Sequence, residues 1–151
     1  MTIDATSEEH RAFDLINRLV DERAGGVATI ERLFGVKLAP AGGSNSYFQI
    51  SGANLAAQWH PLTRVEIRSA TDGSGRGLID LFLNPNNSGC LHKDFVVRQL
   101  GTHFRISVGP PPVDVRNART SYGWTRPWGT LSVSIHADTP DCISEVVIDY
   151  L

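Results

Sequence analysis

Residues 63–83 read TRVEIRSATDGSGRGLIDLFL, and this stretch decides the fold. Val65 and Ile67 alternate with Arg64, Glu66 and Arg68, the two-residue period of a strand with one apolar and one charged face. Asp72-Gly73-Ser74-Gly75-Arg76-Gly77 supplies turn residues. Leu78–Leu83 then follows, apolar at every position but Asp80. The three parts predict a β-hairpin. Its second strand, apolar at both parities, is expected at the centre of a sheet and covered on both faces.

Upstream, Thr6 and Glu9 have the spacing of a helix capping box, and Phe13, Ile16, Leu19 and Val20 recur at helical spacing until Gly25-Gly26. A shorter helix is expected over about 28–34, stopped by Gly35. Tyr47–Ile50 reads as a short strand. Downstream, His92–Leu100 reads as a short helix closed by Gly101. In Thr102–Val108, Phe104, Ile106 and Val108 oppose His103, Arg105 and Ser107. Gly109-Pro110-Pro111-Pro112 opens an irregular connection expected to run to about residue 128, because consecutive prolines lack the amide donors a central strand needs. Leu131, Val133 and Ile135, and then Val146, Ile148 and Tyr150, mark the closing strands. Helices first, strands later and one inserted short helix predict an α+β fold with a mostly antiparallel sheet, one domain over residues 1–151.

The core expected from this pattern contains Leu81, Phe82, Phe104, Ile106, Val133 and Ile148. Hydrophobic residues make up 41% and charged residues 20%, a globular composition that needs neither metal nor disulfides for a core. A net charge of −2 argues against general nucleic-acid binding, which draws on phosphate neutralisation. The N-terminus has no basic leader followed by an apolar run, and no segment approaches the ~20 apolar residues of a membrane helix. Cytoplasmic residence without membrane association is expected. Cys90 and Cys142 are too few for a disulfide framework; a single bridge between them remains open for an exported chain.

Four motifs bear on chemistry. Gly73–Gly77 lies between two strand patterns, so it reads as a hairpin loop and not as a phosphate cradle running into a helix. Cys90, His92, His103, His136 and Cys142 lack paired metal-ligand spacing, so no metal and no cofactor is expected. Cys90 with His92 or His136 has no local nucleophile signature. Glu66 and Asp80 lie on neighbouring strands of the hairpin, where two facing carboxylates would push one pKa upward; Arg64 and Arg68 flank Glu66 on the same face, so ordinary cross-strand ion pairing is the expected account.

The richest signal is Arg105, Arg116, Arg119, Tyr122, Trp124, Arg126 and Trp128. These residue types are enriched at protein–protein hot spots; the same mixture stacks single-stranded nucleic acid, and the tryptophans equally fit core residues or lids over the sheet edge with solvated arginines around them. Only Asp114 is acidic across residues 101–137, so the strip suits an acidic, partly apolar surface on another protein. Arg64, Glu66, Arg68, His103, Arg105, Ser132, Ser134 and His136 form a second signal, a polar sheet face that either meets water or docks a charged partner.

A compact chain with an N-terminal helical section, a charged sheet and no catalytic motif resembles the immunity proteins that bacteria use to neutralise secreted toxins. The resemblance is one of overall style and carries no diagnostic motif. It implies a protein-binding module that docks on a toxin and occludes its active site, with no chemistry of its own. Two other readings remain: a small enzyme using acid–base chemistry in a sheet pocket near His103, His136, Glu66 and Asp80, and a domain binding a small ligand or nucleic acid.

Overall fold

The computed structural model describes residues 6–108 and 118–150. Helix α1 spans Ser7–Asp21 and opens as its sequence predicts: the Thr6 side chain accepts from the Glu9 amide while the Glu9 carboxylate accepts from the Thr6 amide. A 3-10 turn, Arg23–Gly25, separates it from α2, Gly26–Phe34, which ends at Gly35 in the left-handed region. The strands β1 (Ala39–Pro40), β2 (Phe48–Asn54), β3 (Leu62–Ala70) and β4 (Gly77–Leu83) follow. Helix α3, Lys93–Leu100, precedes β5 (Arg105–Val108), β6 (Arg119–Arg126), β7 (Gly129–His136) and β8 (Ile143–Tyr150).

All eight strands join one antiparallel sheet in the order β1-β2-β3-β4-β8-β7-β6-β5. It is two four-stranded meanders placed side by side. The chain runs β1 to β4 from one edge to the centre, crosses through α3 to the far edge, and returns from β5 to β8, which docks on β4. The α+β expectation is therefore met, with the helices ahead of and inside an antiparallel sheet.

The register explains how the sheet faces differ. Val65 opposes Leu81, Ile67 opposes Ile79, Ile79 opposes Ile148, and Leu131 lies between Ile148 and Trp124. These side chains share one face and are buried in a single cluster with Phe13, Ile16, Leu19, Ile30, Phe34, Phe95 and Val96 of the three helices. The opposite parity carries Glu66, Asp80, Glu145, Ser134, Ser132 and Thr130, which no helix among the described residues covers.

Three expectations change. The segment read as irregular to residue 128 is the strand β6 from Arg119; its Thr, Ser and Tyr suit a pleated surface, and Gly123 on the open face interrupts the apolar pattern that would have revealed it. Gly109-Pro110-Pro111-Pro112 lies outside the described residues. Phe82 belongs to the uncovered face and is only half-buried, so β4 is central but not covered on both sides. Ile106 is 60% exposed and Val108 75%; Phe104 is half-buried. The alternation of β5 holds, but β5 is the outermost strand of the sheet, and its apolar side chains stay exposed.

One covalent link was left open by the sequence. Cys90 and Cys142 form a disulfide that ties the segment before α3 to the entry of β8. Around it, the Lys93 amide donates to Asp141 O and the Ile143 amide to Leu91 O. The Glu9 carboxylate, 1% exposed, accepts from the His92 amide and lies 3.0 Å from His92 Nδ1. Burial pushes its pKa up, but these hydrogen bonds outweigh burial and hold it below the ordinary value.

Candidate functional site

Strand alternation divides the predicted docking strip. Trp124 points into the core at 1% exposure, with its indole N–H donating to Gly101 O at 2.9 Å. Tyr122 is half-buried on the same side, 5.3 Å from Phe104 by ring centroids and beneath Lys93. Arg126 reaches back to Leu100 O, and Trp128 lies under the Arg23 guanidinium at 4.8 Å. Arg119 points to the other face and pairs with Glu145 at 3.0 Å. Arg116 lies outside the described residues. An irregular loop would have let all these side chains gather on one surface; a strand sends alternate residues to opposite faces. Trp124 is therefore an interior residue, not a surface anchor. Arg119 and Arg105 remain on the uncovered face.

That uncovered face is the candidate site. Its centre is a chain of charged groups across the strands. Arg64 pairs with Glu66 at 3.1 Å on β3. Glu66 stands directly opposite Asp80 on β4, and Asp80 is diagonal to Glu145 on β8, since Phe82 opposes Glu145 and Asp80 opposes Val147. Arg119 closes the row on β6. Each arginine neutralises one glutamate. Asp80, between the two glutamates, has none of its own. Burial pushes its pKa up first, the Glu145 hydrogen bond and the charges of Glu145 and Glu66 add to that, and the more distant Arg119 only partly offsets them, leaving it at about 8. Asp80 thus carries the proton of a shared Asp80–Glu145 hydrogen bond at neutral pH. Its Oδ1 is shielded from solvent and has no hydrogen-bond partner among the described residues.

This arrangement gives a direct test. The folded protein keeps the Asp80 proton up to about pH 8, whereas an unfolded chain loses it near ~4. The group's contribution to stability is complete below the unfolded value and declines as pH rises through the window between them. Asp80→Asn keeps a neutral donor toward Glu145 without the titration. Its melting temperature should exceed that of wild type by a margin that widens between pH 5 and pH 8. A margin that stays constant across that range would contradict the shared proton.

Around the charged row the face is shallow. Arg105, Ser107, Ser121, Thr125, Thr130 and Ser132 border a hollow of about 270 Å3 toward β5. Phe82, Arg119, His136, Asp138 and Ser144 border another, of about 260 Å3. At the opposite corner, Arg68 lies 5.9 Å from the ring of half-exposed Phe48, beside Leu78 and Asp149. His103 precedes β5 and lies outside the row of carboxylates, so the four residues expected to line an acid–base pocket do not converge. Cys90 is bonded to Cys142 and is not a thiol nucleophile in this state. Among the described residues, no three His, Cys, Asp or Glu side chains group to hold a metal ion. No helix among them is long and apolar enough to cross a membrane.

Glu145, Phe48 and the partner-like role of Arg119 toward Glu145 were not legible as parts of this site. Glu145 lies in an acidic C-terminal stretch whose register against β4 cannot be read from one strand alone. Comparison with protein families, with curated proteins and with solved structures returns no match for the chain.

Proposed function

We propose that the protein is a binding module that docks another protein on the uncovered face of its sheet. The observation that carries this reading is the size of that face and the continuous backbone pairing of its strands. Six strands of seven to nine residues form it. At ~4.8 Å between strands and ~3.3 Å per residue they span roughly 29 by 23 Å, on the order of 700 Å2. A standard protein interface uses about 800 Å2 of each partner. The face is held by backbone pairing on both sides, so docking would order little that is not already ordered. Arg68 beside Phe48 and Leu78 at one corner, and Arg105 at the opposite edge, suit an acidic and partly apolar partner.

A toxin occluded in the manner of an immunity protein is the specific form of this reading, supported by the resemblance in overall style. The Cys90–Cys142 bridge bears on where such docking occurs. Cytosolic thiols are kept reduced, so cytoplasmic residence fits the bridge less well than an oxidising compartment does.

The test is affinity capture with three forms: wild type, Arg68→Glu/Arg76→Glu at the Phe48 corner of the open face, away from β5, and the helix-side control Arg11→Glu/Arg18→Glu. A polypeptide retained by wild type and the control but lost by the open-face variant is expected. Expressed alone it should arrest growth, and co-expression of wild type should restore it. Retention by all three forms would refute the open face as the docking surface.

A second reading, a small acid–base enzyme, is favoured by one observation: a carboxyl group kept protonated at neutral pH between two carboxylates. It would use Asp80 as the acid and Glu145 or Glu66 as the base.

A further inference from the structure

The two edges of the sheet are not equivalent. On one side β1 is two residues long and one of them, Pro40, has no amide donor, so that edge is blunted. On the other side β5 exposes all four of its residues. Among the described residues no strand pairs with its outer side. Its side chains divide by parity. Ile106 opposes Tyr122 and Val108 opposes Thr120, on the helix side of the sheet, and both are largely exposed, at 60% and 75%. Arg105 and Ser107 oppose Gly123 and Ser121 on the uncovered face, where they border the hydroxyl-lined hollow.

From these placements we infer that β5 is a strand-addition site for an extended segment of another protein that alternates apolar and acidic residues. Backbone amides and carbonyls of the added strand would continue the ladder. Opposed residues in a paired strand share a face, so its apolar positions lie against Ile106 and Val108. Its intervening positions lie against Arg105 and the hydroxyl groups, where a carboxylate finds a guanidinium and several donors. A strand of one parity throughout does not satisfy both faces. A second copy of this chain fits less well, because its own β5 brings another arginine and no acid, and pairing four residues alone falls far short of the ~1,200 Å2 of a stable interface. The edge lies beside the open face without depending on it, so this inference and the docking reading can fail separately.

The experiment uses isotope-labelled full-length protein and three end-capped ten-residue peptides at up to millimolar concentration. The first alternates valine and glutamate, the second alternates valine and lysine, and the third is the first with every second amide N-methylated. The Val-Glu peptide should shift amide resonances of β5 and its neighbour β6. Arg105→Glu should weaken it at least tenfold and restore binding to the Val-Lys peptide; Ile106→Asp/Val108→Asp should abolish it. All three positions are exposed, so melting temperatures should stay at the wild-type value. No β5 response to the Val-Glu peptide at millimolar concentration would overturn the inference. So would an equal response to the N-methylated peptide, which would show side-chain adhesion without strand pairing. A concentration-dependent dimer lost in Ile106→Asp/Val108→Asp would assign the edge to a second copy and overturn it as well.

Discussion

Trp124→Ala should cost about 3–5 kcal/mol of folding stability, the range for removing a large aromatic side chain from a packed interior. Trp124 is 1% exposed and packs between Leu131 of β7 and Phe104. Its indole N–H also satisfies Gly101 O at the end of α3, so truncation leaves a cavity and frees a carbonyl together. Against a total stability of about 5–15 kcal/mol for a domain, this is a large fraction. Trp128→Ala is the internal comparison: Trp128 is half-buried beneath Arg23, and its loss should cost clearly less. Denaturant titration of the two variants checks both. Near-native stability for Trp124→Ala would mean that β6 does not face the core as described.

The second large effect is covalent. The Cys90–Cys142 bridge closes a loop with a sequence separation of 52. In the loop-entropy account, a bridge of that span restricts the unfolded chain by about 4 kcal/mol, and bridges commonly deliver about 2–4. The native contacts at the bridge are independent of it: backbone bonds join Lys93 to Asp141 and Ile143 to Leu91, and Glu9 holds His92 from α1. Reduction or Cys142→Ser should therefore lower the unfolding free energy by about 2–4 kcal/mol, read as a lower denaturation midpoint, while leaving the folded circular-dichroism spectrum unchanged. Identical midpoints for oxidised and reduced protein would contradict that stabilisation.

Much of the architecture was legible because it rests on local chemistry. The Thr6–Glu9 box, the Gly35 stop and the alternation around Val65 and Ile67 each act within a few residues. What was not legible depends on partners far along the chain. Ile106 looks like a core residue until β5 is known to be the edge strand. The Arg119–Arg126 segment looks like a loop because Gly123, Ser121 and Thr125 face the uncovered side, where no apolar pattern is required. Asp80 was legible as a carboxylate opposite Glu66, but its proton depends on Glu145, 65 positions away by the sequence numbering and adjacent only because β8 docks on β4. The same register assigns Arg119 to Glu145 and removes it from the surface strip to which its sequence neighbours pointed.

The open-face reading is tested most directly by blocking that face without touching its charges. Ser132 is half-buried at the centre of the uncovered face, opposite Gly123 and Val147, and a long side chain there extends over the hydroxyl-lined hollow. The measurement is the affinity of the captured partner for Ser132→Trp by titration calorimetry, with melting temperature as the control for folding. A loss of at least tenfold with the melting temperature preserved is the expected result. Wild-type affinity for the blocked face would contradict docking there.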